Sequence, residues 1–80
     1  MRINQVEYIL NKFYDKGLVL YNKYDKYIGK IDKYTMDIKV EEGMLMYSVC
    51  DKNYKELYKV VIDIDIIGMI DLMNEEEGDD

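Results

Sequence analysis

The chain of 80 residues is predicted to fold as one α+β domain, in which an N-terminal amphipathic helix packs on an antiparallel β-meander. Two periodicities predict this class, because apolar residues first repeat with the period of a helix and later alternate with polar residues as in strands. About four to five strands are expected, followed by a short C-terminal helix and an acidic tail. A chain of this length forms a single core, so the expected boundaries are 1–74 for the domain and 75–80 for the tail.

The helix is expected between Asn4 and Lys16. Apolar residues three and four positions apart form one stripe along this segment: Val6, Ile9, Leu10, Phe13 and Tyr14. Asn4 and Glu7 have the spacing of a capping box, and Gly17 is suited to the left-handed conformation that follows many helices. The stripe predicts a helix that buries one face against a sheet.

Two hairpins are expected after the helix. They pair residues 18–23 with 27–31 and residues 34–40 with 44–50. In the second hairpin Tyr34, Met36, Ile38 and Val40 alternate with polar residues, which predicts one apolar face. Gly43 supplies the positive φ that its short loop needs, and Gly29 is a candidate bulge position in the first hairpin.

The segment 54–74 allows two interpretations. Asn53 and Glu56 have the spacing of a helix cap. However, apolar residues alternate from Tyr58 to Ile66 and many of them are β-branched, which favours a strand. We adopt the strand. Beyond Asp65 the apolar spacing changes again to that of a short closing helix, on Ile66, Ile67, Ile70 and Met73.

The chain lacks residue types that several classes of function require. There is no histidine, so imidazole-based catalysis and the common zinc sites are excluded. The lone Cys50 cannot form an internal disulfide, which fits a reducing compartment, and we interpret it as a buried small apolar residue. No apolar stretch approaches the length of a membrane helix. We therefore expect a cytoplasmic protein that is not an enzyme and has no cofactor, metal or membrane partner.

Charge is divided unevenly along the chain. Residues 1–40 carry eight cations and five anions, and residues 41–80 carry three and twelve, so the halves have net charges of +3 and −9. No cation follows Lys59. Such an anionic region repels nucleic acid and attracts a basic surface, although an acidic tail can also serve only solubility. The expected protein-interaction residues are Asp63, Asp65, Asp71, Glu75, Glu76, Glu77, Asp79 and Asp80.

Two other patterns suggest chemistry. Asp63 and Asp65 would share one face of a strand, as do the metal-binding aspartates of nucleotidyltransferases, but the chain lacks the glycine-serine turn and the length of those enzymes. Six of the nine tyrosines lie in the basic half among lysines, as in proteins that stack single-stranded nucleic acid: Tyr8, Tyr14, Tyr21, Tyr24, Tyr27 and Tyr34. The net charge of −6 argues against direct nucleic-acid binding.

Composition indicates an AT-rich genome. The chain has no alanine and no proline, and Lys, Asn, Ile and Tyr are abundant. In size, acidity and lack of catalytic residue types it resembles the small anti-CRISPR and anti-restriction proteins of phages. Bacterial immunity proteins against nuclease toxins share this description. The resemblance implies an inhibitor that offers an acidic, nucleic-acid-mimicking surface to the basic groove of a nuclease or CRISPR effector in a bacterial host.

Two alternatives stay open. In the first alternative, the protein is a structural or assembly component that forms a homodimer through sheet edges or oppositely charged halves. In the second alternative, the protein binds single-stranded nucleic acid through its Tyr- and Lys-rich N-terminal half.

Overall fold

The computed structural model describes residues 1–73. The elements in chain order are helix α1 (Ile3–Phe13), a 3-10 turn (Tyr14–Lys16), β1 (Leu18–Asn22), β2 (Tyr27–Ile31), β3 (Thr35–Glu41), β4 (Met44–Cys50), β5 (Glu56–Asp63), a second 3-10 turn (Ile64–Ile66) and β6 (Ile67–Leu72). The tail 75–80 and its boundary lie outside the described residues. Within residues 1–73, no helix combines the length and the apolar character that crossing a bilayer requires.

The six strands of residues 1–73 form two antiparallel sheets instead of the single meander that we expected. Sheet A has the order β2-β1-β6 and sheet B has the order β3-β4-β5. The α+β class is confirmed. The core between helix and sheets is made by Val6, Leu10, Leu18, Leu20, Ile31, Leu45, Tyr47, Ile62, Ile64 and Ile67. Short connections join the sheets: the turn between β2 and β3, and the 3-10 turn Ile64–Ile66 between β5 and β6.

Helix α1 begins at Ile3, so its N-cap is Arg2 and the expected cap at Asn4 is wrong. Arg2 is extended (φ −89°, ψ 156°) and its backbone N–H donates to Gln5 Oε1 at 2.8 Å. This contact replaces the expected pair of Asn4 and Glu7. Arginine has no acceptor atom, so only the Gln5 half of a capping box forms here.

The apolar stripe of α1 is confirmed over most of its length. Val6 and Leu10 are buried, whereas Tyr14 is 56% exposed. The α-helix ends at Phe13, and the Tyr14–Lys16 turn precedes Gly17. Gly17 has the expected positive φ of 83°, but its ψ of 131° lies outside the left-handed helical region.

The β1–β2 hairpin is confirmed, together with a bulge beside Gly29. Leu20 pairs with Gly29 and Tyr21 pairs with Tyr27, so Ile28 is the extra residue on β2. A bulge leaves one residue unpaired and increases the local twist.

The β3–β4 hairpin is confirmed, but the expected alternation on β3 is wrong at its start. Thr35 is buried and Met36 is 43% exposed, the reverse of the predicted pattern. The pairing register of β3 with β4 shifts between Met36 and Lys39, and Asp37 within this interval has a φ of 56°. This bulge inserts one extra residue, which returns Ile38 to the apolar face.

The strand interpretation of the region after Tyr54 is confirmed by β5, which pairs with β4. The expected closing helix is wrong, because Ile67–Leu72 is a strand that pairs with β1. β-branched residues and an unpaired edge of β1 favour this strand over a helix that would contain Gly68. Gly68 also permits a close approach, since a Cβ there would lie 2.7 Å from the carbonyl oxygen of Asn22.

Candidate functional site

One end of sheet B carries four exposed carboxylates, which we call the anionic end: Glu41, Glu42, Asp63 and Asp65. Glu41 pairs with Met44 across β3 and β4, and Met44 pairs with Asp63 across β4 and β5. Paired residues lie side by side on one face of a sheet, so Glu41 and Asp63 flank Met44. Two strand spacings separate their Cα atoms by about 10 Å. The anionic end therefore combines a hairpin turn with the end of a strand from further along the chain.

Backbone hydrogen bonds hold the anionic end in place. Glu42 and Gly43 have φ values of 53° and 77°, as in the type I′ turns that close tight hairpins. The N–H of Ile64 donates to the Gly43 carbonyl oxygen at 3.0 Å, and the N–H of Asp65 donates to Asp63 Oδ1 at 2.9 Å. These contacts join the β3–β4 turn to the second 3-10 turn, so the carboxylates project from a fixed backbone.

The expected acidic residues are only partly brought together. The strand ends at Asp63, so Asp65 lies in the 3-10 turn and does not share a strand face with Asp63. Asp71 is exposed on β6 in sheet A, where it pairs with Val19. The remaining predicted residues lie outside the described part of the chain: Glu75, Glu76, Glu77, Asp79 and Asp80. Residues 1–73 contain no set of three or more acidic or cysteine side chains arranged to hold a metal ion.

Only one short ion pair involves the anionic end within residues 1–73. Lys39 Nζ lies 3.6 Å from Glu41 Oε1, and both side chains are about 60% exposed. Exposed pairs of this kind contribute little free energy. Four carboxylates with one nearby lysine leave this end strongly negative.

The opposite end of sheet B is formed by the turn between β2 and β3 and the turn between β4 and β5. The aspartates of these turns accept backbone hydrogen bonds: Asp32 Oδ1 from Tyr34 N at 2.9 Å, and Asp51 Oδ1 from Asn53 N at 2.8 Å and Lys55 N at 3.0 Å. Three lysines, Lys33, Lys52 and Lys55, extend from the same turns and are exposed. Three lysines against two aspartates leave these turns with a small positive charge, whereas the anionic end is strongly negative.

The six tyrosines of the basic half do not form one surface. Tyr8 accepts a hydrogen bond from Lys12 Nζ at 3.1 Å on the outside of α1, and Tyr24 is 82% exposed at the tip of the β1–β2 turn. Tyr27 and Tyr34 line a cleft between the two sheets, and Tyr47 and Tyr58 from β4 and β5 line it as well. Sequence reasoning missed Tyr47 and Tyr58 because they lie in the acidic half.

Strand β5 is a free edge with apolar side chains. In the described part of the chain it pairs only with β4, and its register is regular from Tyr58 to Asp63. Leu57 and Val61 are 60% and 61% exposed. Bulges interrupt the edge strands β2 and β3, which is one way in which proteins blunt an edge. β5 therefore offers the longest regular run of unpaired backbone groups among the described edges.

A polar cluster joins β4 and β5 near their turn. Ser48 Oγ donates to Glu56 Oε1 at 2.9 Å, and Lys59 Nζ donates to the same oxygen at 3.0 Å. These hydrogen bonds hold the pKa of Glu56 below its usual value, and the one from Lys59 has the larger effect. Cys50 is buried as expected, and burial, with a smaller effect of Glu56, raises the pKa of its thiol. The thiol therefore stays protonated, which disfavours a nucleophilic role.

Comparisons of the chain with protein-family models, curated proteins and solved structures found no match.

Proposed function

We propose that the protein is a small phage-type inhibitor that binds the basic, nucleic-acid-binding surface of a host nuclease or CRISPR effector. The observation that carries this proposal is the anionic end, where residues from two distant segments present four carboxylates on a fixed backbone. Carboxylates in fixed positions can make the arginine and lysine contacts that phosphates otherwise make. Two of the four, Asp63 and Asp65, belong to the residues expected from the sequence. Glu41 joins them through strand pairing, and Glu42 lies in the turn that follows it.

The size and charge of the anionic end support a partner surface that is small and basic. A 1:1 complex through one end of the sheet would leave the lysines of the opposite end in solvent. Binding that depends on charge is fast at low ionic strength and weakens as salt is added. The same negative charge disfavours direct binding of nucleic acid at this end, because like charges repel.

The proposal is tested by neutralising the anionic end. The variant carries Glu41→Gln, Glu42→Gln, Asp63→Asn and Asp65→Asn. Asparagine keeps an Oδ1 acceptor at Asp63, so the contact from Asp65 N survives. A matched control changes the net charge by the same amount elsewhere, with Glu7→Gln, Asp15→Asn, Asp25→Asn and Asp37→Asn.

The measurement is affinity capture from a lysate of a CRISPR-bearing low-GC bacterium, followed by elution with DNA or salt. We expect the parent and the matched control to retain a nucleic-acid-binding protein that DNA displaces. The anionic-end variant should retain it on the order of tenfold or more weakly. Equal retention by all three proteins, or a partner that DNA does not displace, would contradict the proposal.

A second function is favoured by the free edge of β5. We propose as the alternative that two copies pair along this edge and that the protein is an assembly component. An exposed regular edge with apolar side chains is a template for pairing with another chain. This alternative predicts self-association without any other partner.

A further inference from the structure

The two sheets part near one end of the molecule and leave a cleft of about 500 Å³, which we call the tyrosine cleft. Its walls are the bulged edge of β2 and the face of β4 and β5 that is turned toward the core. Four tyrosines from four different segments line it: Tyr27, Tyr34, Tyr47 and Tyr58. The volume lies within the range of about 300–1,000 Å³ that is typical of small-molecule sites.

Two of these rings are available for stacking. Tyr27 and Tyr58 are 60% and 57% exposed although both line the cleft. They approach it from different sheets, Tyr27 on β2 and Tyr58 on β5. A third ring, Tyr34, is held by Tyr54 with ring centroids 5.6 Å apart. The cleft therefore has a partly exposed tyrosine ring on each of its walls.

Tyr47 supplies a polar group at the base of the cleft. Its side chain is only 3% exposed, and it reaches β2 at the bulge, where a Cβ on Gly29 would lie 2.6 Å from its hydroxyl oxygen. The hydroxyl makes no hydrogen bond with the described residues, its oxygen is not among the fully buried unpaired atoms, and the residue lines the cleft. Burial raises the pKa of Tyr47 to about 12, with smaller effects from Tyr27 and Tyr58. The phenol is therefore a neutral hydrogen-bond donor at physiological pH without a partner in residues 1–73.

The charges around the cleft differ from those of the molecule as a whole. Lys30 lies on the rim, with its Nζ 3.5 Å from Asp32 Oδ2, and Lys33 Nζ lies 5.3 Å from the centre of the Tyr34 ring. Lys30 and Asp32 are the charged residues that line the cleft, and their charges balance. Lys33, beside the Tyr34 ring, adds one positive charge nearby. Asp32 also accepts hydrogen bonds from its own turn. A net charge of −6 for the chain therefore does not exclude a phosphate at this rim.

We propose that the tyrosine cleft binds a nucleobase, stacked on Tyr27 and Tyr58, with the Tyr47 hydroxyl donating to a ring carbonyl or ring nitrogen. Aromatic side chains stack bases of any sequence, and lysines at the rim neutralise the attached phosphate. The base comes from a mononucleotide or from a single-stranded end, since both present the same ring. The site is independent of the anionic end, which occupies the opposite end of sheet B.

The test is an NMR titration of the full chain with UMP, AMP and a six-nucleotide deoxythymidine oligomer. Ribose 5-phosphate serves as a probe that carries the phosphate but no base. We expect both nucleotides to shift the resonances of Tyr27, Tyr47 and Tyr58. Ribose 5-phosphate, which can contact only the rim lysines, should leave these three residues unchanged. Tighter binding of the oligomer would assign the base to single-stranded nucleic acid, and equal binding would assign it to a free nucleotide.

Variants separate the cleft from other tyrosines. Tyr27→Leu and Tyr58→Leu should each weaken nucleotide binding about tenfold, since base stacking on an aromatic ring contributes substantially. Tyr47→Phe keeps the ring and removes the donor, with an expected loss of about fivefold. Tyr24→Leu, at an exposed tyrosine outside the cleft, should bind as the parent does.

Three results would overturn the inference. The first is the absence of base-dependent shifts in the parent at millimolar nucleotide. The second is a response to ribose 5-phosphate equal to that of UMP. The third is a loss in Tyr24→Leu equal to that in Tyr58→Leu, because it would show general binding to exposed rings. None of these results bears on the anionic end, so the two proposals fail separately.

Discussion

Tyr47 illustrates how one residue belongs to the core and to a cleft at once. Its ring packs with buried residues of the core, and its hydroxyl reaches the bulge of β2 beside Gly29. Its pKa is about 12 in the folded protein, against 10.0 for an ordinary tyrosine. Because burial favours the neutral form, the folded state holds this proton more tightly than the unfolded state does.

This difference predicts a loss of stability at alkaline pH. Between pH 10 and pH 12 Tyr47 ionises in the unfolded chain but stays protonated in the folded one, so rising pH favours unfolding. The contribution should be on the order of 2 kcal/mol across that range. Urea unfolding of the parent and of Tyr47→Phe at several pH values measures it. The parent should lose stability relative to the variant above pH 10, and a constant difference would contradict the assignment.

Glu56 has the opposite dependence on pH. Hydrogen bonds from Lys59 and Ser48 lower the pKa of this carboxyl, so the folded state favours its ionised form. Its stabilising contribution is present at neutral pH and is lost as the pH falls through that lowered pKa. Because the side chain is exposed, the effect should be smaller than that of Tyr47. In urea unfolding, the advantage of the parent over Glu56→Gln should shrink on acidification, and an advantage that grows would contradict this account.

At the scale of the element, β6 depends on one close contact. A Cβ at Gly68 would lie 2.7 Å from Asn22 O and 2.8 Å from Lys23 Cα, and both of these are backbone atoms that cannot rotate away. The strand must therefore shift or lose its pairing with β1 when a side chain is present. Glycine at this position is required by packing between strands.

We expect Gly68→Ala to destabilise the protein by about 2 kcal/mol or more, as overpacking does elsewhere. Gly43→Asn is the matched control, because no atom of the described residues lies within 4 Å of a Cβ there. Asparagine tolerates the positive φ of that turn, so this change should cost less than about 1 kcal/mol. Urea unfolding followed by circular dichroism measures both. Equal effects of the two substitutions would show that the β1–β6 contact is loose.

At the scale of the whole molecule, the charge polarity and the free edge of β5 support different assemblies. The anionic end favours a basic partner, and the exposed Leu57 and Val61 favour another β-strand. The two respond differently to salt. Charge-driven contact weakens with ionic strength, whereas pairing of backbone groups and apolar side chains does not.

Edge pairing predicts a dimer that depends on concentration and persists at high salt. Val61→Lys should abolish it, because a lysine on an edge strand opposes pairing. Met36→Lys on the bulged edge of β3 is the control and should leave it unchanged. Sedimentation velocity over a range of concentrations measures both. A monomer at every concentration would exclude the assembly function and leave the inhibitor proposal intact.

The sequence alone determined the features that depend on near neighbours in the chain. The stripe of Val6 and Leu10 predicted α1, and the alternation around Val60 and Ile62 predicted β5, because each pattern repeats with the period of its own element. The excess of acidic residues after position 40 predicted an anionic region. The hairpin loop at Gly43 was predicted from the one residue type that adopts a positive φ freely.

Only the tertiary structure decided which segments meet. Pairing with β1 made Ile67–Leu72 a strand, although its apolar spacing matched a helix. Pairing across β4 placed Glu41 near Asp63, and the parting of the sheets brought Tyr27 to the same cleft as Tyr58. These contacts join residues that are far apart in the sequence. Periodicity along the chain records which face of an element is apolar, but it does not record which distant strand that element will pair with.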